Sequence, residues 1–350
     1  MRNPTPLNHA RLPTIRDVAA AAGVSPAAVS RHLNRSVVLP AETASRIDSA
    51  VAALNYRPNI QALRLSRGIT QMIGVVTPDI AYPFFAMIAS AAEEEASRFG
   101  YSVVICNTRN QIERELDYLD KLAWRHVDGL IFLTNHADDG TLGKRLERLQ
   151  NVVLLDEDVA GTVAPKIFID NHMGGLLATR HLIEQGHRRL AHVTGPAGVM
   201  SVKERFAGFR QAMAEAGLPV DEALVKFGAY DEAWGAEAFR QLFALAERPS
   251  AVFLASDALA LGMLAACRAA GVAVPRSLSL VGFDDLPFVR YLDPPLTTVR
   301  QPAEELGRCA VRRLIETLRG LPVPDRPERL PVELVVRGSV AGHGSHPSLR

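Results

Sequence analysis

Six short apolar runs in this 350-residue chain end on polar residues that can grip a ligand. Asp79 follows Ile73-Gly74-Val75-Val76, and Asn107 follows Val103-Val104-Ile105. Asp156 follows Val152-Val153-Leu154-Leu155, Asp170 follows Phe168-Ile169, Ser256-Asp257 follow Val252-Phe253-Leu254, and Asp284-Asp285 follow Val281-Gly282-Phe283. The aromatics Phe84, Phe85, Tyr230 and Trp234 are expected near the same cleft. Carboxylates accept from hydroxyls, arginine donates, and aromatic faces cover the apolar side of a ring, which is the chemistry of a polyhydroxylated ligand. An Asp at a strand end also caps the next helix, and for Asp257 and Asp285 that plainer role is favoured.

Other chemistries find less support. His181, His187 and His192 lack a repeated metal-ligand spacing, so no metal is expected. No Ser has the strand-elbow-helix context of a hydrolase, and no phosphate loop is present, so neither catalysis nor a cofactor is expected. Cys106, Cys267 and Cys309 are scattered, without CxxC spacing. They read as reduced, buried thiols of a cytoplasmic protein.

The apolar runs alternate with amphipathic stretches over about 270 residues, the pattern of βαβ units and parallel sheets covered on both faces. That length suggests two doubly wound lobes, whose ligands bind beyond the carboxyl ends of the strands. The first 70 residues differ: they hold nine Arg, no Lys and three acids (Asp17, Glu42, Asp48), while the whole chain has a formal net charge of +1. A basic head on an acidic body suits one element that faces phosphate and another that does not. Thr14 with Asp17 can open a helix that stops at Gly23, and Ser25 with Pro26 can open a second, over Ala27 to Asn34. Val18, Ala22, Val24, Val29 and Leu33 are spaced to hold the two at the helix-turn-helix angle. A third helix is expected from about Ala41 to Leu54. No apolar stretch of signal-peptide or membrane-spanning length is present.

The strings TIRDVAAAAGVSPAAVSRHLN, ALNYRPN and ALRLSRG closely resemble the head of the LacI/GalR family, and the resemblance runs from about residue 13 to 340. It implies an N-terminal all-α helix-turn-helix head and an α/β body of two doubly wound parallel-sheet lobes of type I periplasmic-binding-protein fold. The expected domains are a DNA-binding head at 12–57, a hinge at 58–70 and an effector-binding body at 71–340. Within the body the first lobe spans about 71–171 and 302–331, and the second about 172–299 and 332–341. Pro294 to Val299 reads as the crossover back to the first lobe, and a polar tail at 342–350 is expected to be disordered.

Carried over residue by residue, the resemblance places Pro26, Ala27 and Arg31 against bases. Arg31 can offer a bidentate fork to guanine, whereas Ala27 and Ala28 can make only apolar contacts. Thr14, Ser25, Ser30 and Asn34 fall at phosphate-contacting positions, which set docking. Ala28 stands where Thr is common, and Pro40 where Ser is usual. In the hinge, Asn59 begins the segment, Ala62 allows two hinge helices to approach, Arg64 faces phosphate with Arg67, and Leu65 is the wedge that unstacks a base step. In the body, Arg205 of ERFAGF matches the residue that grips the effector, and Asp284 of VGFDD a second contact. Phe84, Phe85, Asp156, Asp170, Ser201 and Tyr230 match further pocket positions. Tyr82 replaces the Asn common before PFF, and Val199 and Met200 are apolar where purine-binding members use polar groups, which favours a sugar.

The expectation is a homodimeric repressor that binds a palindromic double-stranded DNA operator and is controlled by a small effector, most simply a pentose or hexose. It would work in the cytoplasm, on the nucleoid, with no membrane partner. Effector binding would shift the first lobes of two subunits and so separate or pair their hinges. Two rivals are a solute-binding transport protein, which the basic head contradicts, and a sugar-modifying enzyme, which turnover of a candidate sugar would revive.

Overall fold

Thr14 opens the first helix by a reciprocal pair of bonds. Its Oγ1 accepts from the Asp17 N–H at 3.4 Å, while its own N–H donates to Asp17 Oδ2 at 2.7 Å. The computed structural model describes residues 13–34, 36–57, 69–123, 126–322, 324 and 326–343. Its head has three helices: α1 (Ile15–Ala22), α2 (Pro26–Leu33) and α3 (Ala41–Ala53). Gly23 stops α1 at φ 62°, a left-handed conformation that a Cβ would strain. Ser25 caps α2 by accepting from the Ala28 N–H at 3.2 Å, with Pro26 in the first turn. Pro40 gives α3 no side-chain cap, as its apolar ring dictates. Val18, Ala19, Ala22, Val29, Ile47 and Ala50 form the small core, and His32 Nε2 meets Asp48 Oδ1 at 2.8 Å between α2 and α3. The hinge positions Asn59, Ala62, Arg64 and Leu65 lie outside the described residues.

The body, a separate unit from residue 71, holds two sheets. The first contains β1 (Met72–Thr77), β2 (Ser102–Asn107), β3 (Gly129–Phe132), β4 (Val152–Leu155), β5 (Lys166–Ile169) and β11 (Glu328–Leu330), in the order β2-β1-β3-β4-β5-β11. The second contains β6 (Leu190–Thr194), β7 (Val225–Phe227), β8 (Ala251–Leu254), β9 (Ser279–Asp284), β10 (Thr297–Arg300) and β12 (Glu333–Val335), in the order β7-β6-β8-β9-β10-β12. All neighbours are parallel except β10 and β12. The two orders correspond strand for strand. Central strands such as β3, β4 and β8 are buried at every residue, which is why they read as unbroken apolar runs.

Helices α4 (Pro83–Arg98), α5 (Ile112–Ala123), α6 (Thr141–Leu146) and α11 (Ala303–Leu318) cover the first sheet. Helices α7 (Asn171–Glu184), α8 (Met200–Glu215), α9 (Glu232–Phe243) and α10 (Asp257–Ala269) cover the second. The chain changes lobe at Asp170–Asn171, at Gln301–Pro302 and between β11 and β12. Thr297 to Val299 is therefore a strand of the second sheet, and the crossover assigned to Pro294–Val299 comes after it, at Gln301. Near the end of the described residues, the His343 N–H donates to the Gln185 carbonyl at 2.7 Å, and the rest of the tail expected at 342–350 lies outside them.

Candidate functional site

Both sheets aim their carboxyl ends at one cleft, as the strand order of a doubly wound fold requires. Its cavity measures about 300 Å³ and is lined from both lobes. The first lobe contributes Tyr82, Phe84 and Phe85 at the start of α4, together with Asp156 and Glu157 after β4. The second contributes Ser201 and Arg205 on α8, Tyr230 before α9, and Asp284 at the end of β9. Phe84 and Phe85 meet edge to face, with centroids 5.3 Å apart, and form an apolar wall.

Close helix packing sets Arg205. A Cβ at Gly175 would lie 2.1 Å from the Arg205 carbonyl oxygen, and one at Gly208 would lie 2.1 Å from that of His172. Only glycine at both places lets α7 and α8 touch. The buried guanidinium then donates through Nε to Asn171 Oδ1 at 2.8 Å and through Nη1 to the Ala255 carbonyl at 2.6 Å. It also lies over the Phe283 ring, 3.7 Å from the centroid. These contacts fix its plane and leave Nη2 for the cleft.

Carboxylates crowd around this one cation. Asp284 accepts from the Tyr82 hydroxyl at 2.5 Å, across the lobes, and from Gln301 Nε2 at 2.6 Å. Burial still raises its pKa, against the pull of Arg205. Burial also pushes Asp156 up to about 6, opposed by Arg205. Glu157 rises to about 8 through burial and then through the neighbouring Asp156. Its oxygens accept from the Ser201 N–H at 3.3 and 3.2 Å, a second contact between lobes.

Of the effector positions expected from the sequence, Phe84, Phe85, Asp156, Ser201, Arg205, Tyr230 and Asp284 line the cleft. Asp170 does not. Its Oδ1 accepts from the Met173 N–H at 2.9 Å and caps α7, and it lies in a surface depression with Arg329, so its placement in the pocket is corrected. The helix-capping role given to Asp257 and Asp285 is also corrected. Ser256 caps α10, and Asp257 accepts from the Leu286 N–H and the Thr298 hydroxyl, both at 2.8 Å. Asp285 pairs with Arg300 at 2.7 Å and Arg337 at 2.6 Å. Trp234 packs on Gly228, away from the cavity lining. Cys309 is only half-buried and donates from Sγ to Glu305 Oε1 at 3.2 Å.

Sequence reasoning missed Glu157, Gln301, Asn110 and Asn135 in the lining. Glu157 stood within reach, directly after an apolar run and its polar end residue, while Gln301 follows the Thr297–Arg300 strand that the sequence reading took for a crossover. Asn110 and Asn135 sit on loops whose approach to the cleft depends on tertiary packing.

In the head, Pro26, Ala27 and Arg31 are exposed on one side of α2, while Val29 on the other is buried. Ser30 Oγ accepts from Asn34 Nδ2 at 3.3 Å, and the Arg31 Nε rests on the Ala27 carbonyl at 3.3 Å. The Thr14 and Ser25 oxygens are engaged in helix caps. Ala28 is partly exposed, one position along from Ala27.

Comparison with known proteins agrees with both parts. Residues 14–59 match the family model for bacterial regulatory proteins of the lacI family, and residues 179–340 match a periplasmic binding protein-like domain. The HTH-type transcriptional repressor PurR of Photobacterium profundum is 33% identical over 328 residues, covering 93% of this chain and 98% of that protein. The ribose operon repressor of Halalkalibacterium halodurans is 37% identical over 330 residues, covering 94% and 97%. A crystal structure of the lac repressor dimer bound to operator and the anti-inducer ONPF superposes with a TM-score of 0.83 at 28% identity, covering 95% of this chain and 100% of that one. These relatives are repressors rather than enzymes, and among the described residues no helix is long and apolar enough to cross a membrane. The chain belongs to the lacI family of bacterial regulatory proteins, DNA-binding regulators controlled by a small molecule held in the periplasmic-binding-protein-like body.

Proposed function

We propose that this regulator is a cytoplasmic homodimeric repressor that takes a sugar-sized polyol as its effector and catalyses no reaction on it. The head, 12–57, reads a palindromic operator through Pro26, Ala27, Ala28 and Arg31, with Thr14, Ser25, Ser30 and Asn34 on phosphates. The hinge, 58–70, with Asn59, Ala62, Arg64 and Leu65, enters the minor groove beside the head. The body, 71–340, binds the effector through Phe84, Phe85, Asp156, Ser201, Arg205, Tyr230 and Asp284, one lobe on each side.

The observation that carries this reading is the pairing of an anchored Arg205 and strand-end carboxylates with the Phe84–Phe85 wall, in one cavity between two lobes. Donor, acceptors and an apolar face are what a polyol ring requires. The family resemblance, which sets apolar Val199 and Met200 where purine-binding members use polar groups, disfavours a purine. The ribose operon repressor among the relatives points the same way.

The test couples two measurements. A thermal-shift screen over sugars, sugar phosphates and purines identifies binders, since a ligand that binds only the folded state raises the melting temperature. A gel shift on a selected operator then follows release or tightening as the binder is added. A polyol that raises the melting temperature and changes operator affinity supports the proposal. A purine with both properties, or consumption of a sugar during incubation, would overturn it. Within the same assay, Arg31→Ala should cost about 1–3 kcal/mol at one operator base and little on random DNA.

A further inference from the structure

The buried polar atoms left unpaired in the cleft are mostly acceptors. Asp156, 8% exposed, has no partner for Oδ1, and Gln301, 5% exposed, has none for Oε1. Glu157, 4% exposed, has both oxygens on the single N–H of Ser201. The donors are largely committed. Arg205 spends Nε and Nη1 on Asn171 and Ala255, while the Tyr82 hydroxyl and the Gln301 Nε2 are held by Asp284. What remains to donate is Arg205 Nη2, the unpaired Tyr230 hydroxyl and the side-chain amides of Asn110 and Asn135 on the rim loops, fewer groups than the six carboxylates that face them.

Charge runs the same way. Asp79, Asp156, Glu157, Asp231, Glu232 and Asp284 line the cavity against Arg205 as the lining cation among the described residues. Asp79 and Asp231 accept from N–H groups of their own turns, and Glu157 from the Ser201 N–H at the start of α8, whereas the Asp156 carboxylate has no such partner. Two neighbouring carboxylates buried with so little counter-charge resist ionisation together, and a bound cation would relieve that penalty. Asp156 is also held at φ 73°, a backbone conformation that costs energy and collects at functional sites.

A neutral hydroxyl accepts as well as donates, and so leaves part of this excess of acceptors unmatched. A phosphate or carboxylate only accepts. A protonated amine donates three hydrogen bonds and accepts none. We propose that the effector of this cleft is an amine-bearing polyol of monosaccharide size, its ammonium held by Asp156 and Glu157 and its ring against Phe84, Phe85 and Tyr230. The cavity of about 300 Å³ admits one such ring. The proposal rests on the reading of the cleft as a polyol site.

The experiment is isothermal titration of the full-length protein at neutral pH with three matched series: 2-amino-2-deoxyhexoses, the parent hexoses and the hexose 6-phosphates. At least one amino sugar should bind about tenfold or more tighter than its parent, one pKa-unit equivalent of charge pairing being a factor of ten, and its phosphate counterpart more weakly than either. Glu157→Gln keeps an oxygen for the Ser201 N–H and removes the charge, so the preference ratio should fall toward one, as it should in Asp156→Asn. Parent hexoses binding as tightly as their amines, or a preference undiminished in both variants, overturns the proposal and leaves the polyol reading standing. Failure of all three series to bind at millimolar concentration overturns both.

Discussion

Asp156 follows β4 and Asp284 closes β9, the same station in two sheets of corresponding strand order. Both are buried, and both have positive φ, 73° and 112°. Their surroundings differ. Asp284 has each oxygen bonded by a protein donor, Tyr82 on one side and Gln301 on the other. Asp156 has an oxygen bonded to nothing. The stations after β1 and β6 diverge likewise: α4 begins with the Phe84–Phe85 wall, while α8 presents Ser201 and Arg205. Shared topology delivers a residue to the cleft, and its partners decide whether it is available to a ligand or already committed to closing the lobes.

The contrast predicts its largest effect at Arg205, which serves the carboxylates of both lobes. Arg205→Ala should abolish the effector response in a gel shift while operator binding stays measurable. It also leaves Asn171 Oδ1 and the Ala255 carbonyl without their donor, and removes the counter-charge from Asp156 and Asp284. A loss of about 3–5 kcal/mol in body stability by denaturant titration is expected, as for breaking a buried charged network. Retained response at wild-type effector concentration would remove Arg205 from the site.

Next comes the matched pair. Asp284→Asn puts an amide where two donors already converge, so one donor must lose its acceptor, at a cost of about 1–3 kcal/mol. Asp156→Asn removes a buried charge whose free oxygen no protein group bonds, so the ligand-free protein should be unchanged or more stable, although effector affinity drops. Equal destabilisation by the two would erase the distinction drawn between the lobes.

The sequence revealed one half of this contrast. Asp156 and Asp284 were legible because strand-end position and family motif both point at them, Arg205 and the Phe pair because the motif does, and the head because its caps are local. Periodicity also exposed the central strands, which are apolar throughout. The edge and late strands β7, β10, β11 and β12 are short, and β10 was mistaken for the crossover because Pro294-Pro295 looks like a chain break. Asp170 failed as a pocket residue because a residue at a lobe crossover can point to either side of the sheet, and here capping α7 satisfied it. The commitment of Asp284 to Tyr82 was beyond reach, since it joins residues 202 positions apart in different lobes.

The proton balance offers a third probe. Burial lifts Glu157 from an ordinary 4.5 to about 8. An acid raised in the folded state favours folding while it stays protonated, and that contribution is lost as pH climbs from the unfolded value toward the folded one. The ligand-free protein should therefore lose stability between about pH 5 and pH 8. His136, raised by its bond to Glu115, adds a loss in the same direction on rising pH, while His187 and His192, lowered by burial, favour folding as pH rises. Comparison with Glu157→Gln isolates the one group: the variant's melting temperature should fall less steeply over that window. Parallel curves would mean that Glu157 is ionised throughout and sheltered by groups other than those named.

The smallest effect, and the one that sharpens the comparison most, belongs to Tyr82→Phe. The ring stays beside Phe85, at a centroid distance of 5.8 Å in the parent, so packing is kept and only the hydroxyl is lost. Asp284 retains Gln301 on one oxygen, and the other then faces the cavity, so the cost should be about 1 kcal/mol rather than that of an orphaned charge. The variant brings Asp284 closer to Asp156, with an oxygen open to the cavity. Its affinity for a donor-rich effector should rise a few-fold, because the ligand no longer competes with a tyrosine for that oxygen, while the unliganded lobes lose one bond that holds them together. Titration calorimetry measures the first change and thermal unfolding the second. A fall in effector affinity comparable to that of Asp156→Asn would show that the tyrosine hydroxyl is itself a ligand contact, and that the first lobe supplies a donor as well as acceptors.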